Sequence, residues 1–181
     1  ALMKDQVYNL QSKNIKAIAL TGGISQDEVI NILDNCQFGN YKFLYLSPER
    51  LQHDWIVERL KQLSINLIAI DEAHCISAWG HDFRPAYTNL GYLKNRFPST
   101  PILALTATAD KATRTDISDQ LNLVNPKTFV ASFDRKNLSL EVRPALDRVK
   151  QIIDFIDTKP NESGIIYCLS RKTTEELAEK L

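Results

Sequence analysis

Short apolar runs alternate with helix-period segments along this chain, and that alternation constrains its fold more than any other feature. A strand buried on both faces reads as a continuous apolar run. Helices between such runs carry the chain back so that successive strands lie parallel. The runs fall at residues 17–20, 43–46, 65–70, 101–105, 128–131 and 164–168, and residues 138–142 alternate with strand period. Between them, Met3, Val7 and Leu10 share one face of an opening helix. Ser25 and Glu28 form a capping box ahead of Val29, Ile30, Leu33 and Cys36, and Gly39 supplies the stop. Helices are predicted over 55–63 and 87–96, from an Asp110 cap through Ile117 and Leu121, and through Ile152, Ile153 and Ile156. The expected class is α/β, a parallel sheet flanked by helices.

Composition removes several classes of function. No apolar run approaches the roughly 20 residues that cross a bilayer. The opening Ala-Leu-Met-Lys-Asp has no basic region leading into an apolar one, so no secretory signal is expected. Cys36, Cys75 and Cys168 are scattered without CxxC spacing, which argues against a disulfide framework or structural zinc and for a reducing compartment. The 22 basic and 22 acidic residues cancel, so any nucleic-acid binding must come from local groups.

The most informative segment is Leu67-Ile68-Ala69-Ile70-Asp71-Glu72-Ala73-His74. A buried strand here delivers two adjacent carboxylates to the carboxyl edge of the sheet, where ligands of open α/β sheets bind. A carboxylate at that edge of a nucleotide hydrolase holds Mg²⁺, and its neighbour can orient or deprotonate the attacking water. Two other readings stand beside this one. One takes the pair as a plain acidic helix cap; the other takes Asp71, Glu72, His74, Cys75 and His81 as a transition-metal cluster, although their spacing fits no standard zinc pattern.

Asp71-Glu72-Ala73-His74-Cys75-Ile76-Ser77, continuing to Trp79-Gly80-His81-Asp82-Phe83-Arg84-Pro85, resembles motif II and the aromatic-rich loop of the RecQ family of superfamily 2 helicases. Other segments agree in order. Leu2-Met3-Lys4-Asp5-Gln6-Val7 is similar to the motif Ia region, Ser47-Pro48-Glu49-Arg50-Leu51 to motif Ib and Leu105-Thr106-Ala107-Thr108-Ala109 to motif III. Ser132-Phe133-Asp134-Arg135 resembles the junction of the two RecA-like domains, and Gly164-Ile165-Ile166-Tyr167-Cys168 with Ser170-Arg171 resembles motif IV.

The resemblance implies an ATP-dependent DNA helicase, moving three-prime to five-prime, that serves recombination and repair in the bacterial cytoplasm or a nucleus. It implies a RecA-like first domain over residues 1–134 and the beginning of a second over 135–181. Its substrates would be ATP with Mg²⁺ and single-stranded or partly duplex DNA. Asp71 would bind the metal, Glu72 would be the catalytic carboxylate, and His74 would communicate nucleotide state. Thr106 and Thr108 would couple hydrolysis to domain movement, and the loop would sense DNA.

Physical chemistry allows those roles and plainer ones. Trp79 and Phe83 offer faces for unpaired bases, or pack the loop onto its own domain. His81 and Arg84 can donate to phosphate or to neighbouring acids. Ser47 and Arg50 touch phosphates, or turn the chain with Arg50 solvated. Thr106 and Thr108 couple the domains, or simply cap the strand end and the next helix. Ser170 and Arg171 contact DNA, or merely begin a helix.

None of the six glycines precedes a lysine, so no GxxxxGK[ST] phosphate loop is present. Motifs V and VI and the zinc-binding and winged-helix parts are absent as well. The expectation is therefore a piece of a longer protein, inactive in ATP hydrolysis by itself. The alternative is a degenerate helicase-like module that binds DNA without hydrolysis. Ala78, Ala86 and Lys136 depart from residues usual in the family, which bears on loop hydrogen bonding and on the hinge.

Overall fold

Ala-Ile-Ala-Leu and Phe-Leu-Tyr-Leu form the first two strands, β1 (Ala17–Leu20) and β2 (Phe43–Leu46). They pair in parallel, Ala17 opposite Phe43 and Leu20 opposite Leu46. Such a pair needs a crossover, supplied here by helix α2 (Gln26–Phe38). Its start is the expected capping box: the Glu28 carboxylate accepts from the Ser25 N–H at 2.8 Å, and the Ser25 hydroxyl accepts from the Glu28 N–H. Gly39 closes it. Helix α1 (Leu2–Gln11) packs beside β1, where the Gln11 amide donates to the Ala17 carbonyl at 3.0 Å.

The computed structural model describes residues 2–77, 84–132 and 136–181. It contains two compact units, Ala1–Thr128 and Phe129–Leu181, whereas the sequence pattern places the division near residue 134.

A second parallel ladder in the first unit joins β3 (Ile68–Ile70) to β4 (Ile102–Ala104). Both strands are shorter than the apolar runs that contain them. The expected single sheet is thus two parallel pairs, not hydrogen-bonded to each other among the described residues. Helix α3 (Asp54–Leu60) precedes β3 and stops short of the predicted residue 63.

The helix expected over 87–96 is divided. Helix α4 (Pro85–Thr88) gives way to a 3₁₀ turn, Asn89–Tyr92, before α5 (Leu93–Arg96). The cause is close packing at Gly91. A Cβ there would lie 2.2 Å from the Gln120 carbonyl oxygen, and the Asn122 side-chain amide donates to the Gly91 carbonyl at 3.1 Å. Helix α6 (Lys111–Gln120) starts at the predicted cap, the Asp110 carboxylate accepting from the Thr113 N–H at 2.8 Å.

One buried cluster ties this unit together. Leu20 and Leu33 enter it from the first ladder and its crossover, Ile56 from α3, Ile70 from β3, and Leu121 from the end of α6. Each such side chain stabilises by about 1.5–3 kcal/mol relative to exposure.

The second unit contains helices α7 (Arg148–Asp157) and α8 (Arg171–Ala178). Strands expected over 138–142 and 164–168, and over 128–131 at the unit boundary, are not formed. Phe129, Leu140 and Tyr167 are each at least 89% exposed. Their pattern suits a buried strand, but no ladder partner reaches them among the described residues. Among those residues no helix is long and apolar enough to cross a membrane.

Candidate nucleotide-hydrolysis site

The ladder of β3 and β4 extends past its strands, and that extension builds the site. The Leu105 N–H donates to the Ile70 carbonyl at 2.8 Å, and the Ala73 N–H donates back to the Leu105 carbonyl at 2.9 Å. The acidic segment and the threonine segment after β4 are therefore held side by side at the carboxyl ends of both strands.

Glu72 sits in the left-handed region, with φ 50° and ψ 41°. A non-glycine residue there costs on the order of 1–3 kcal/mol, and such strain clusters at functional sites. The turn sends the two carboxylates to different tasks. Asp71 accepts the Glu72 N–H on Oδ1 at 2.9 Å. Glu72 Oε2 lies 3.3 Å from His74 Nδ1.

The His74 side chain is only 12% exposed, on the 3₁₀ turn Ala73–Ile76. Its Nδ1 is also 3.0 Å from the Thr106 hydroxyl. That hydroxyl accepts the Thr108 N–H at 3.2 Å and lies 3.4 Å from the Thr108 carbonyl. On the other side of the ring, buried Cys75 places Sγ 3.8 Å from Nε2. Asp71, Glu72, His74, Thr106 and Thr108 thus form one connected group.

The remaining sequence-derived residues fall elsewhere. Arg84 is exposed at the cap of α4, and its N–H donates to the Cys75 carbonyl at 3.1 Å, which joins the start of α4 to the His74 turn. Trp79, His81 and Phe83 lie outside the described residues. Ser47 and Arg50 are half-buried just beyond β2. Arg50 is not simply solvated, since its guanidinium donates to the Thr21 carbonyl at 2.7 Å. In the second unit Ser170 caps α8, its hydroxyl accepting from the Thr173 N–H at 3.2 Å, and Arg171 is the exposed first residue of that helix.

Two neighbours of this group were not foreseen in their places. Cys75 was legible as part of a motif and of the rival metal cluster, not as a ring contact. Tyr87 in α4 is half-buried, and burial pushes its phenol up, with Cys75, Asp71 and Glu49 adding to the effect against Arg84.

The residues present fit a hard divalent cation on one side only. Asp71 is an exposed carboxylate with one oxygen engaged by an N–H, which suits Mg²⁺ that keeps most of its waters. Among the described residues no three His, Cys, Asp or Glu side chains converge as a metal cluster would require.

Residues 1–117 match the family model described as DEAD/DEAH box helicase. Across all of its length the chain is 44% identical to the ATP-dependent DNA helicase RecQ of Pasteurella multocida and to that of Haemophilus influenzae. It is 43% identical to a putative ATP-dependent RNA helicase of Acanthamoeba polyphaga mimivirus. The chain spans 29% of each of the first two proteins and 33% of the third. A match covering more than half of the chain, together with similarity that runs over all of its length, establishes its kinship: the chain belongs to the DEAD/DEAH box helicase family, on its RecQ branch.

Proposed function

We propose that the chain is part of the motor of an ATP-dependent DNA helicase that moves three-prime to five-prime in recombination and repair, in the bacterial cytoplasm or a nucleus. Residues 1–134 serve as the first RecA-like domain and 135–181 begin the second. One juxtaposition supports the reading. Asp71 and Glu72 leave the carboxyl end of β3 beside Thr106 from the end of β4, and His74 touches both segments.

In this reading Asp71 holds Mg²⁺, which when bound neutralises charge on phosphate oxygens. Glu72 orients the attacking water and takes its proton. His74, packed between Glu72 and Thr106, makes the position of one depend on the other, and Thr108 follows through its N–H. Trp79 and Phe83 stack unpaired bases, with His81 and Arg84 donating to phosphate or to acids. Ser47, Arg50, Ser170 and Arg171 contact the backbone of single-stranded or partly duplex DNA.

Two measurements test this. With no GxxxxGK[ST] segment in its 181 residues, the chain is expected to show no DNA-stimulated ATP turnover; such turnover would overturn that expectation. In fluorescence anisotropy it should bind a single-stranded DNA oligonucleotide weakly, with affinity falling steeply as salt rises. Trp79→Ala should lose about 1–3 kcal/mol, roughly five- to 150-fold in affinity. Unchanged DNA binding in Trp79→Ala, or preference for RNA of the same sequence, sinks the loop's assigned role.

A further inference from the structure

The first ladder carries a surface that the proposed mechanism does not use. Side chains alternate across a strand, so Leu44 and Leu46, which pack against the buried cluster, put Phe43 and Tyr45 on the other face of β2. The two rings stack, with centroids 6.3 Å apart and planes 14° from parallel. Phe43 is 46% exposed despite its place in a strand, and Phe38, the last residue of α2, is 81% exposed. Large apolar side chains left open together mark an interaction surface.

Positive charge stands at the amino end of the same ladder. Exposed Lys16 places Nζ 5.9 Å from the centre of the Tyr41 ring and donates to the Gly39 carbonyl at 3.0 Å. Exposed Lys42 donates to Asn40 Oδ1 at 2.8 Å. Both acceptors are neutral, so neither bond cancels the ammonium charge. Residues 6–26 and 35–48, which build β1, β2 and their flanks, hold Lys13, Lys16 and Lys42 and no Asp or Glu. Asp34, the carboxylate just before the second of these segments, is paired with Arg59. In a chain whose charges otherwise cancel, this is a local positive field.

The loop that carries these groups is fixed by its own backbone. The Lys16 carbonyl receives the Lys42 N–H at 2.9 Å, Asn40 turns with φ 55°, and a Cβ on Gly39 would meet the Tyr41 ring at 3.0 Å. Rings and cations are held in place before a partner arrives, which lowers the ordering cost of binding.

From this arrangement we infer a second contact surface for a single DNA strand on the first unit, where unpaired bases stack on the Phe43–Tyr45 pair and Lys16 and Lys42 meet phosphates. Open rings beside cations match a polyanion with unpaired bases, since every base has a face to stack and every linkage a charge. A duplex hides those faces, and an apolar protein partner leaves the lysines unanswered. The surface is distinct from the motif contacts. Ser47 and Arg50 follow the carboxyl end of β2, whereas Lys16 and Lys42 precede the amino ends of β1 and β2, roughly 13 Å away at about 3.3 Å per strand residue. The inference goes beyond the proposed function and takes from it only the choice of DNA over RNA.

Anisotropy of a fluorescein-labelled oligothymidylate with the 181-residue chain at low salt tests it, in a Trp79→Ala background that removes the loop's own stacking. There Phe43→Leu, which keeps apolar bulk without the ring, should weaken binding about fivefold or more. Lys16→Gln with Lys42→Gln should lower the slope of log affinity against log salt by about 1.4, or about 0.7 per lysine, and Lys16→Arg with Lys42→Arg should restore it. Photocrosslinking of bromodeoxyuridine DNA should label Tyr41, Phe43 or Tyr45 in the unaltered chain. An affinity and a salt slope that these changes leave unmoved overturn the inference. A matched RNA strand bound more tightly than the DNA does so too. The same holds for self-association in sedimentation that Phe43→Leu abolishes while DNA binding stays, because the face would then seat a second copy. If Phe43→Leu fails to fold, crosslinking of the unaltered chain decides: label on these rings supports the surface, and label confined to other residues refutes it. No outcome here bears on Asp71 and Glu72, so the ATP-hydrolysis reading stands or falls separately.

Discussion

Replacing Thr106 by valine removes one hydroxyl and almost nothing else, since the two side chains are close in size. The hydroxyl takes part in three contacts: with His74 Nδ1 at 3.0 Å, the Thr108 N–H at 3.2 Å and the Thr108 carbonyl at 3.4 Å. Thr108 is exposed, so water replaces its two contacts at little cost. His74 is the partner that matters, because its ring is mostly enclosed and, among the described residues, its Nδ1 keeps only the longer contact to Glu72 once the hydroxyl is gone. A net hydrogen bond is worth about 0.5–1.5 kcal/mol, and stranding an enclosed donor costs more. The expected loss is about 1 kcal/mol, a fall of roughly 2–4 °C in Tm for a chain of this size. Thr106→Ser, which keeps the hydroxyl, should melt close to the parent. Circular dichroism melts of the three proteins decide the matter. A Thr106→Val variant that melts with the parent, or a Thr106→Ser variant as weak as the valine one, refutes the claim that this hydroxyl ties the two motifs together.

Gly91→Ala drives a methyl group to 2.2 Å from the Gln120 carbonyl oxygen, a backbone atom that cannot swing aside. Overpacking of this kind should cost about 2–3 kcal/mol in urea unfolding, and a wild-type midpoint would show that the 3₁₀ turn has slack. Glu28 is held below its ordinary value of 4.5 first by the Ser25 N–H and then by the Ser25 hydroxyl. A lowered carboxylate contributes stability that is present above about pH 4.5 and lost as pH falls through its folded value. Thermal melts below that pH should therefore decline less steeply in Glu28→Gln than in the parent, and identical slopes would exclude the cap as a contributor.

Local chemistry was the most legible layer of this fold. Ser25 with Glu28, Gly39 and Asp110 mark helix ends in the sequence because capping needs only residues three or four positions apart. The apolar lead into Asp71 likewise announces where the carboxylates emerge, since a buried strand and the edge it feeds are contiguous in the chain. What the sequence could not show is which distant atoms meet there. His74 and Thr106 are 32 positions apart, and Arg50 reaches Thr21 across 29. Those contacts depend on the register of parallel ladders, which no local pattern encodes. The same limit explains the broken helix at Gly91, where the far end of α6 decides the geometry of a segment nearly thirty positions earlier.

The second unit carries that reasoning to its end. Residues 164–168 have the apolar content of a central strand, and Leu138, Leu140 and Val142 the alternation of a half-buried one, yet Leu140 and Val142 are 97% and 98% exposed. Ordering backbone costs about 1–2 kcal/mol per residue, and an extended segment recovers that only when a neighbour completes its hydrogen bonds and covers its side chains. Helices α7 and α8 close their hydrogen bonds within themselves and need no ladder partner for their backbone. An apolar pattern therefore records what a segment is able to bury, while the ladder beside it decides whether a strand exists. In the first unit the ladders are present, and they bring the acidic and threonine segments together at the rim where β3 and β4 end.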